Sequence, residues 1–587
     1  MELTNKTFQV LNSLRKCPNT SQREISETTG LSLGSVNAAV KELSERGLIS
    51  DGSITEKGLD ALSPYRVKNA VIMAAGMSSR FAPISYERPK GVLKVRGEVL
   101  IERQIRQLQE AGISDITVVV GYMKESFFYL EDLLGVKIRV NEEYASRNNN
   151  STLMLVRDIL SNTYICSSDD YFTENPFEEY VYKAYYAAQY FEGETDEYCL
   201  TCGAGNRITG IQVGGRDAFA MLGHVYFDKA FSYAFIRILE NEYDRPETAS
   251  KLWEDIYSDH VRELDMVMRP YDREVIYEFD SLDEVREFDA GFIENVDSSI
   301  LDNICNVLSC SRDEITGIVP IKQGLTNLSC KFSCRGVDYV YRHPGVGTDE
   351  IICRSSEAYS QEVARDLGID ETFIFEEPQT GWKISRYIEG CVPFDYHNDD
   401  HVARGLALAR KLHRCGRTSE WSFDVYEKAK EIVALLGARQ YPSFPDFPEL
   451  ADRAARLAEL VRADCVEPCL CHNDFYAPNF LVRDDLMYLI DWEYSAMSDY
   501  ASDLGTFICC SDYDMDESTR VVELYFGRTP SPEELRHCFA YVSISAYYWF
   551  VWALYKESEG DPVGEWLYLW YRYAKTYGVK ALELYNC

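Results

Sequence analysis

Three stretches of this sequence hold residues whose types and spacing can do chemistry. The first is "CHNDFYAPN", where His472, Asp474 and Asn479 are followed twelve residues on by Asp491 in "LIDWEYS". A carboxylate so placed can accept the proton of a hydroxyl, and an amide oxygen with a second carboxylate can hold a hard divalent cation. The second stretch is "MAAGMSSRFAPISYERPKGVLKVRG", Met73–Gly97, with Ala75, Gly76 and Met77 in a small-residue turn and Arg80 and Lys90 behind it. Small residues let backbone N–H groups approach an anion such as a phosphate closely, and the two cations can offset its charge. Carboxylates for a metal follow in "SSDDYF" (Asp169, Asp170) and "YEFDS" (Asp280). The third stretch, "AYYWFVWALYK" (Ala546–Lys556), is aromatic and ends an uncharged run from Cys538. On a helix Tyr548, Trp549, Trp552 and Tyr555 share one face. Such a run is a membrane span, a packed core helix or a cage for a cation.

The elements that position these residues are legible in outline. Residues 1–66 read as short helices and a hairpin. "SQREISETTG" opens on a capping box, Ser21 with Glu24, and a helix follows from Ser32 to Arg46 with Val36, Val40 and Leu43 on one side. Asp51-Gly52 then marks a tight hairpin. From Val67 the pattern is strand, loop, helix, strand: "NAVIM", the helix "LIERQIRQLQEAGI", then "ITVVVGY". That is a βαβ unit and predicts an α/β domain with a parallel sheet. It closes at "VIYEFDSLDEVREFD", with Ser281 as a helix cap, near residue 298. Beyond 299 a small antiparallel sheet gives way to a mostly helical region broken by the loop around Asp474. The tyrosines and serines of the aromatic run argue for a buried helix, because tyrosine belongs at bilayer interfaces rather than mid-span.

Each region resembles a known family. Residues 1–66 resemble the winged helix-turn-helix of bacterial regulators, which implies Ser32–Arg46 as a recognition helix; DNA binding and a fused docking or dimerisation role both stay open. The loop at Met73–Gly97, the P-K dipeptide, the "LIERQI" helix and the closure at "IYEFDSLDEVR" resemble nucleotidyltransferases, and among them CTP:phosphocholine cytidylyltransferases most. The resemblance implies a Rossmann-like α/β domain over 67–298, Lys90 and Arg80 as catalytic cations, Ala75, Gly76 and Met77 at the triphosphate, and Asp169 and Asp280 on Mg2+. "NNNSTL" (Asn148–Leu153) is a further candidate for reading base or substrate.

Residues 299–587 resemble the protein-kinase-like fold of choline kinases and aminoglycoside phosphotransferases, through H-x-D-x4-N and the Asp that follows. This implies Asp474 as the base, Asn479 and Asp491 as metal ligands, and His472 as a structural brace. "QGLTN" (Gly324, Thr326, Asn327) would cover the ATP phosphates, with Arg342 in place of the usual lysine, Glu357 as its helical partner, and Tyr387 and Glu389 at the hinge. A choline headgroup has no N–H to donate, so it is held by aromatic faces and a carboxylate. Trp549 and Trp552 would form that wall, joined by Trp566 or Trp570 and by Asp499 or Asp503.

The chain has 587 residues and a net charge of −35, which weighs against nucleic acid or anionic lipid as the main partner. Eighteen cysteines without the dense spacing of a secreted scaffold, and an N-terminus without a signal pattern, point to reduced thiols in the cytoplasm. "CLTC" (Cys199, Cys202) lacks the four ligands of structural zinc. The resulting expectation is a bifunctional enzyme using choline, ATP and CTP to make CDP-choline through phosphocholine. Its rivals are a sugar nucleotidyltransferase fused to an ethanolamine- or aminoglycoside-type kinase, and a regulator that only senses such metabolites.

Overall fold

The Ser21 capping box forms as its spacing requires. Its hydroxyl accepts from Glu24 N at 3.3 Å, and the Glu24 carboxylate accepts from Ser21 N at 2.8 Å. Gly30 ends that helix in the left-handed region, and Ser32 caps the next, Leu33–Glu45, which buries Val36, Ala39 and Leu43. The wing pairs Ile49–Ser50 with Ser53–Ile54 around Asp51-Gly52, both at positive φ. The computed structural model describes residues 2–321, 327–344, 352–437, 444–558, 560 and 562–586.

The second region is a seven-stranded mixed sheet. Its spatial order is Val267–Pro270, Tyr185–Cys202, Ile208–Phe227, Thr163–Ser167, Asn69–Ala74, Ile116–Val120, Lys137–Val140. The last four strands are parallel, and Ile116–Val120 is buried at every residue, as a strand covered on both faces must be. One apolar cluster packs the Leu100–Glu110 helix beneath this sheet, and another packs the Lys229–Glu242 helix and Trp253 on it. The long Tyr185–Cys202 and Ile208–Phe227 hairpin exceeds anything the sequence pattern indicated.

The third region begins with a five-stranded antiparallel sheet, in the order Ile315–Pro320, Asn327–Cys334, Val337–Pro344, Lys383–Arg386, Phe373–Glu376. A helical lobe follows, with one apolar cluster running from Val363 to Ala581. The aromatic run lies in the helix Pro532–Ser558. By length and composition this helix could cross a membrane, yet 83% of its most apolar window is buried within the fold.

The chain divides into two compact units, Met1–Asn303 and Ile304–Cys587. The first contains both the winged helix and the α/β sheet, and the division falls inside the helix Ser299–Leu308. The winged helix packs on the sheet domain through Tyr65, which stacks on Tyr182 at 5.5 Å, and through Arg15, 2.9 Å from Glu179.

Candidate active sites

Strands Asn69–Ala74 and Thr163–Ser167 run parallel with Met73 opposite Ser167. The Ala75–Ser78 turn and the Ser168–Asp169 turn therefore leave the sheet at the same carboxyl end, where open α/β sheets bind ligands. Ala75 is buried, Met77 is exposed, and Ser78 takes a left-handed conformation. A Cβ on Gly76 would meet nothing within 4 Å, so this glycine leaves open room beside the turn rather than relieving strain. Lys90 is buried, with Nζ 2.7 Å from Asp169 Oδ2. Gly91 permits that approach, because a Cβ there would stand 2.8 Å from the Ser168 side chain. Arg80, largely exposed, pairs with Asp280 at 3.1 Å.

Burial works against the charge on Lys90, but Asp169, Glu278 and Asp280 outweigh it and hold the ammonium above its usual range. The carboxylates show the reverse strain. Glu278, opposite Asp170 in the Asp170–Phe172 and Ile276–Glu278 pairing, is pushed up to about 8 by burial and then Asp169. Asp170 is buried, burial and then Glu278 raise it well above the carboxylate range, and among the described residues neither of its oxygens has a hydrogen-bond partner. A buried orphaned carboxylate beside crowded acidic neighbours is the donor set that a hard divalent cation satisfies. Asp170, with Glu278 paired opposite it on the neighbouring strand, is the carboxylate such an ion would satisfy. The expected Asp169 precedes it in the chain, and the expected Asp280 lies two residues past the end of the strand Ile276–Glu278. The sequence reading missed Glu278, which ends the strand Ile276–Glu278 opposite Asp170, a pairing that only the strand register shows.

The three asparagines are structural. Asn150 Nδ2 donates to Thr248 O at 3.0 Å and to Lys251 O, Asn149 Oδ1 accepts from Trp253 N at 2.7 Å, and Asn148 Nδ2 donates to Ser250 O at 3.2 Å. They fix the "LWED" segment, whose Glu254 accepts from the Tyr186 hydroxyl at 3.2 Å and is raised to about 7 by burial. Burial, and then the neighbouring Glu254, push the Tyr186 hydroxyl well above its ordinary value.

In the kinase-like unit, both ring nitrogens of His472 are engaged by the backbone. Its Nε2 bonds Ile490 O at 3.0 Å and its Nδ1 accepts from Asp474 N at 3.3 Å. Asp503 is also structural: its carboxylate accepts from His472 N, Asn473 N and His413. Asn479 Nδ2 donates to both Asp474 O and Asp474 Oδ2 at 2.8 Å, so its amide oxygen is the atom it can offer a cation. Asp491 sits at φ 66°, a costly conformation for aspartate that persists where surrounding structure enforces it. Burial and then Asp491 push Asp474 well above the usual carboxylate range, and burial and Asp491 push Glu493 up to about 8. This acidic crowd, again, fits a divalent cation.

Arg342 Nη2 lies 2.6 Å from Glu357 Oε1, and its Nη1 lies 3.4 Å from Asp491. Lys383, opposite Arg342 in the sheet register, joins the pair at 3.2 Å from Glu357 and 3.9 Å from Asp491. Burial opposes ionisation of Glu357, but Arg342, Lys383 and Arg354 outweigh it and hold the carboxyl down to about 2. Lys383 was missed because only the strand register brings it to this cluster. Asn327 Nδ2 lies 3.4 Å from Glu493, whereas Gly324 and Thr326 lie outside the described residues. Tyr387 and Glu389 follow the strand Lys383–Arg386, and Tyr387 N is already committed to Asp338 O.

Tyr494 joins the aromatic helix to this loop: its carbonyl accepts from Asn473 Nδ2 at 3.0 Å and its ring meets Trp549 of that helix. The Tyr548 hydroxyl is pushed up by burial and by Asp474 and Glu493, and the same two carboxylates with Asp491 act on Tyr494. Trp549 meets Tyr494 edge-on at 6.2 Å and Tyr548 at 4.9 Å, with Trp552 at 5.7 Å and Trp570 at 5.8 Å. Trp566 stacks on Trp570 at 5.5 Å. Asp499 is corrected: it caps the helix Tyr500–Cys509 and bonds His537 Nε2 at 2.9 Å, so it lends the aromatic wall no carboxylate.

These two sites define a nucleotidyltransferase and a phosphotransferase on one chain. A phosphotransferase enzyme family matches residues 376–538, a MobA-like NTP transferase domain residues 70–167, and a winged helix-turn-helix DNA-binding family residues 3–50. A 2-aminoethylphosphonate cytidylyltransferase of Lancefieldella rimae is 34% identical over 38% of this chain and 93% of its own length. A choline-phosphate cytidylyltransferase of Streptococcus pneumoniae is 32% identical over 38% of this chain and 96% of its own. Protein LicA of Haemophilus influenzae is 22% identical over 41% of this chain and 94% of its own. The chain belongs to the family of these cytidylyltransferases, and it carries a second transferase of the phosphotransferase family.

Proposed function

We propose that the chain phosphorylates choline with ATP and then transfers CMP from CTP to the phosphocholine, releasing pyrophosphate and CDP-choline. The observation that carries this reading is the aromatic cluster joined to the catalytic loop through Tyr494, whose carbonyl accepts from Asn473 Nδ2 at 3.0 Å, next to Asp474, and whose ring meets Trp549 at 6.2 Å. A methylated ammonium is held by ring faces and carboxylates, while its hydroxyl must reach the base. The relative named for 2-aminoethylphosphonate points to a second acceptor. A kinase on the same chain favours the ester, because phosphoryl transfer to a hydroxyl makes a C–O–P linkage and never a C–P bond.

In the kinase, Asp474 would align the hydroxyl and take its proton as the oxygen attacks the γ-phosphorus. Arg342 and Lys383 would steady the phosphates. In the cytidylyltransferase a phosphocholine oxygen attacks the α-phosphorus of CTP, and Lys90 and Arg80 turn from Asp169 and Asp280 to the departing pyrophosphate. Asp491, Asn479 and Glu493 in one site, and Asp169, Asp170, Asp280 and Glu278 in the other, would hold Mg2+, which when bound neutralises phosphate charge. Glu254 would be the carboxylate for the cationic headgroup. Both donors are cytoplasmic metabolites, and the described cysteines are all free thiols, which suits that compartment.

The test is one assay with choline, ATP and CTP. Native protein should yield CDP-choline. Asp474→Ala should yield it only when phosphocholine is supplied, and Lys90→Ala should stop at phosphocholine. Equal rates with choline, ethanolamine and sugars would end the choline assignment.

A further inference from the structure

We propose that Cys469 and Cys471, with His413, form a site for a thiophilic divalent cation of the zinc class beside the kinase catalytic loop. The two cysteines stand two apart on the strand Cys469–Cys471 and so share a face, with their sulfurs 3.6 Å apart. Tetrahedral bonds of about 2.3 Å place two thiolates about 3.8 Å apart, so the pair is already at ligand spacing. A ligand atom of His413, at the end of the helix Asp399–His413, lies within 4.8 Å of both sulfurs. Among the described residues this is the one convergence of three such groups.

The imidazole is prepared for the role. Its Nε2 lies 2.9 Å from Asp503 Oδ2 and its Nδ1 lies 2.8 Å from the Tyr525 hydroxyl. With the proton on Nε2 facing the carboxylate, Nδ1 keeps its lone pair and accepts from Tyr525. A carboxylate behind a histidine is the arrangement that orients metal-bound imidazoles. The Tyr525 hydroxyl, 2.8 Å from Nδ1, or a water would be the fourth donor. Closing the nitrogen onto the ion asks for a shift of about 1 Å, since nitrogen and sulfur ligands stand about 3.5 Å apart around a tetrahedral centre.

The site abuts the chemistry. Cys471 immediately precedes His472, and Asp503, which holds His413, also accepts from the backbone N–H groups of His472 and Asn473 at 3.0 and 2.6 Å. A bound cation would tie the end of the Asp399–His413 helix to the strand that aims Asp474. "CLTC" offers no such convergence: Cys202 Sγ contacts Met268 Sδ, and no histidine joins Cys199.

The test titrates reduced, full-length protein with cobalt(II) as the spectroscopic probe, in excess magnesium to occupy the carboxylate sites. The expected result is a thiolate-to-cobalt charge-transfer band that saturates stoichiometrically. Alkylation mapped by mass spectrometry should then show Cys469, the half-buried thiol of the pair, protected by the cation and the half-buried Cys202 unchanged. Cys469→Ser with Cys471→Ser should abolish the band. An absent band, protection falling on other cysteines, or a band surviving in the folded double variant would each overturn the proposal. The alkylation map of native protein decides the matter even if the variant does not fold.

Discussion

At the scale of single residues, the aromatic wall makes a measurable claim about charge. Trp549 sits where Tyr494, Tyr548, Trp552 and Trp570 converge, and Tyr494 directly follows Glu493 in the chain. If these rings hold a cation, native enzyme should prefer choline over 3,3-dimethylbutanol, the neutral isostere with the same shape. A desolvated cation–π contact is worth about 2 kcal/mol, or about 30-fold in kcat/KM. Trp549→Leu should shrink that ratio toward the carboxylate contribution alone, and an unchanged ratio would remove Trp549 from recognition. Residues at fixed spacing within one loop, such as His472, Asp474, Asn479 and Asp491, were legible because their geometry is local. Lys383 and Glu254 were not, since the sheet register of one and the asparagine-fixed segment of the other appear only in three dimensions.

At the scale of elements, short-range rules placed the winged helix and the parallel strands to within a residue or two, because caps and alternation are local signals. The docking of the aromatic helix was not readable. It depends on Gly505, where a Cβ would stand 2.5 Å from Tyr541 O, so the helix Tyr500–Cys509 can lie against Pro532–Ser558 only with no side chain there. His537 then clamps the packing: its Nε2 meets Asp499 at 2.9 Å and its Nδ1 meets Asp464 at 2.8 Å. Burial works against a charged imidazole, but Asp499 and Asp464 outweigh it and raise the histidine above 6.5. A folded pKa above the unfolded one stabilises fully below pH 6.5, and that contribution fades as pH rises through the folded value. The gap in thermal midpoint between native protein and His537→Gln should therefore be widest in mild acid and narrow toward alkaline pH. A gap that widens with pH would mean the histidine is neutral in the fold.

At the scale of the whole molecule, charge decides what the winged helix does. The chain carries −35 overall, and the cations of this module are largely spent. Arg15 and Arg66 both reach Glu179, at 2.9 and 3.1 Å, and Lys16 lies 3.7 Å from Glu178, all on the sheet domain. Within the recognition helix region Lys41 pairs with Glu45 and Arg46 with Glu42. Duplex affinity is built on displaced counterions, so a surface with few unpaired cations has little non-specific binding to offer. The fold resembles a reader of DNA, whereas its electrostatics suit a module docked on an enzyme. Full-length protein should leave a generic duplex unretarded at physiological ionic strength. Lowering the salt should recover only weak binding with a shallow dependence of log affinity on log salt. A steep slope, of the kind that about six or more phosphate contacts give, would return the module to DNA. Glu179→Ala separates the two roles further: it should loosen the seam and lower the thermal midpoint of the first unit without creating affinity for the duplex.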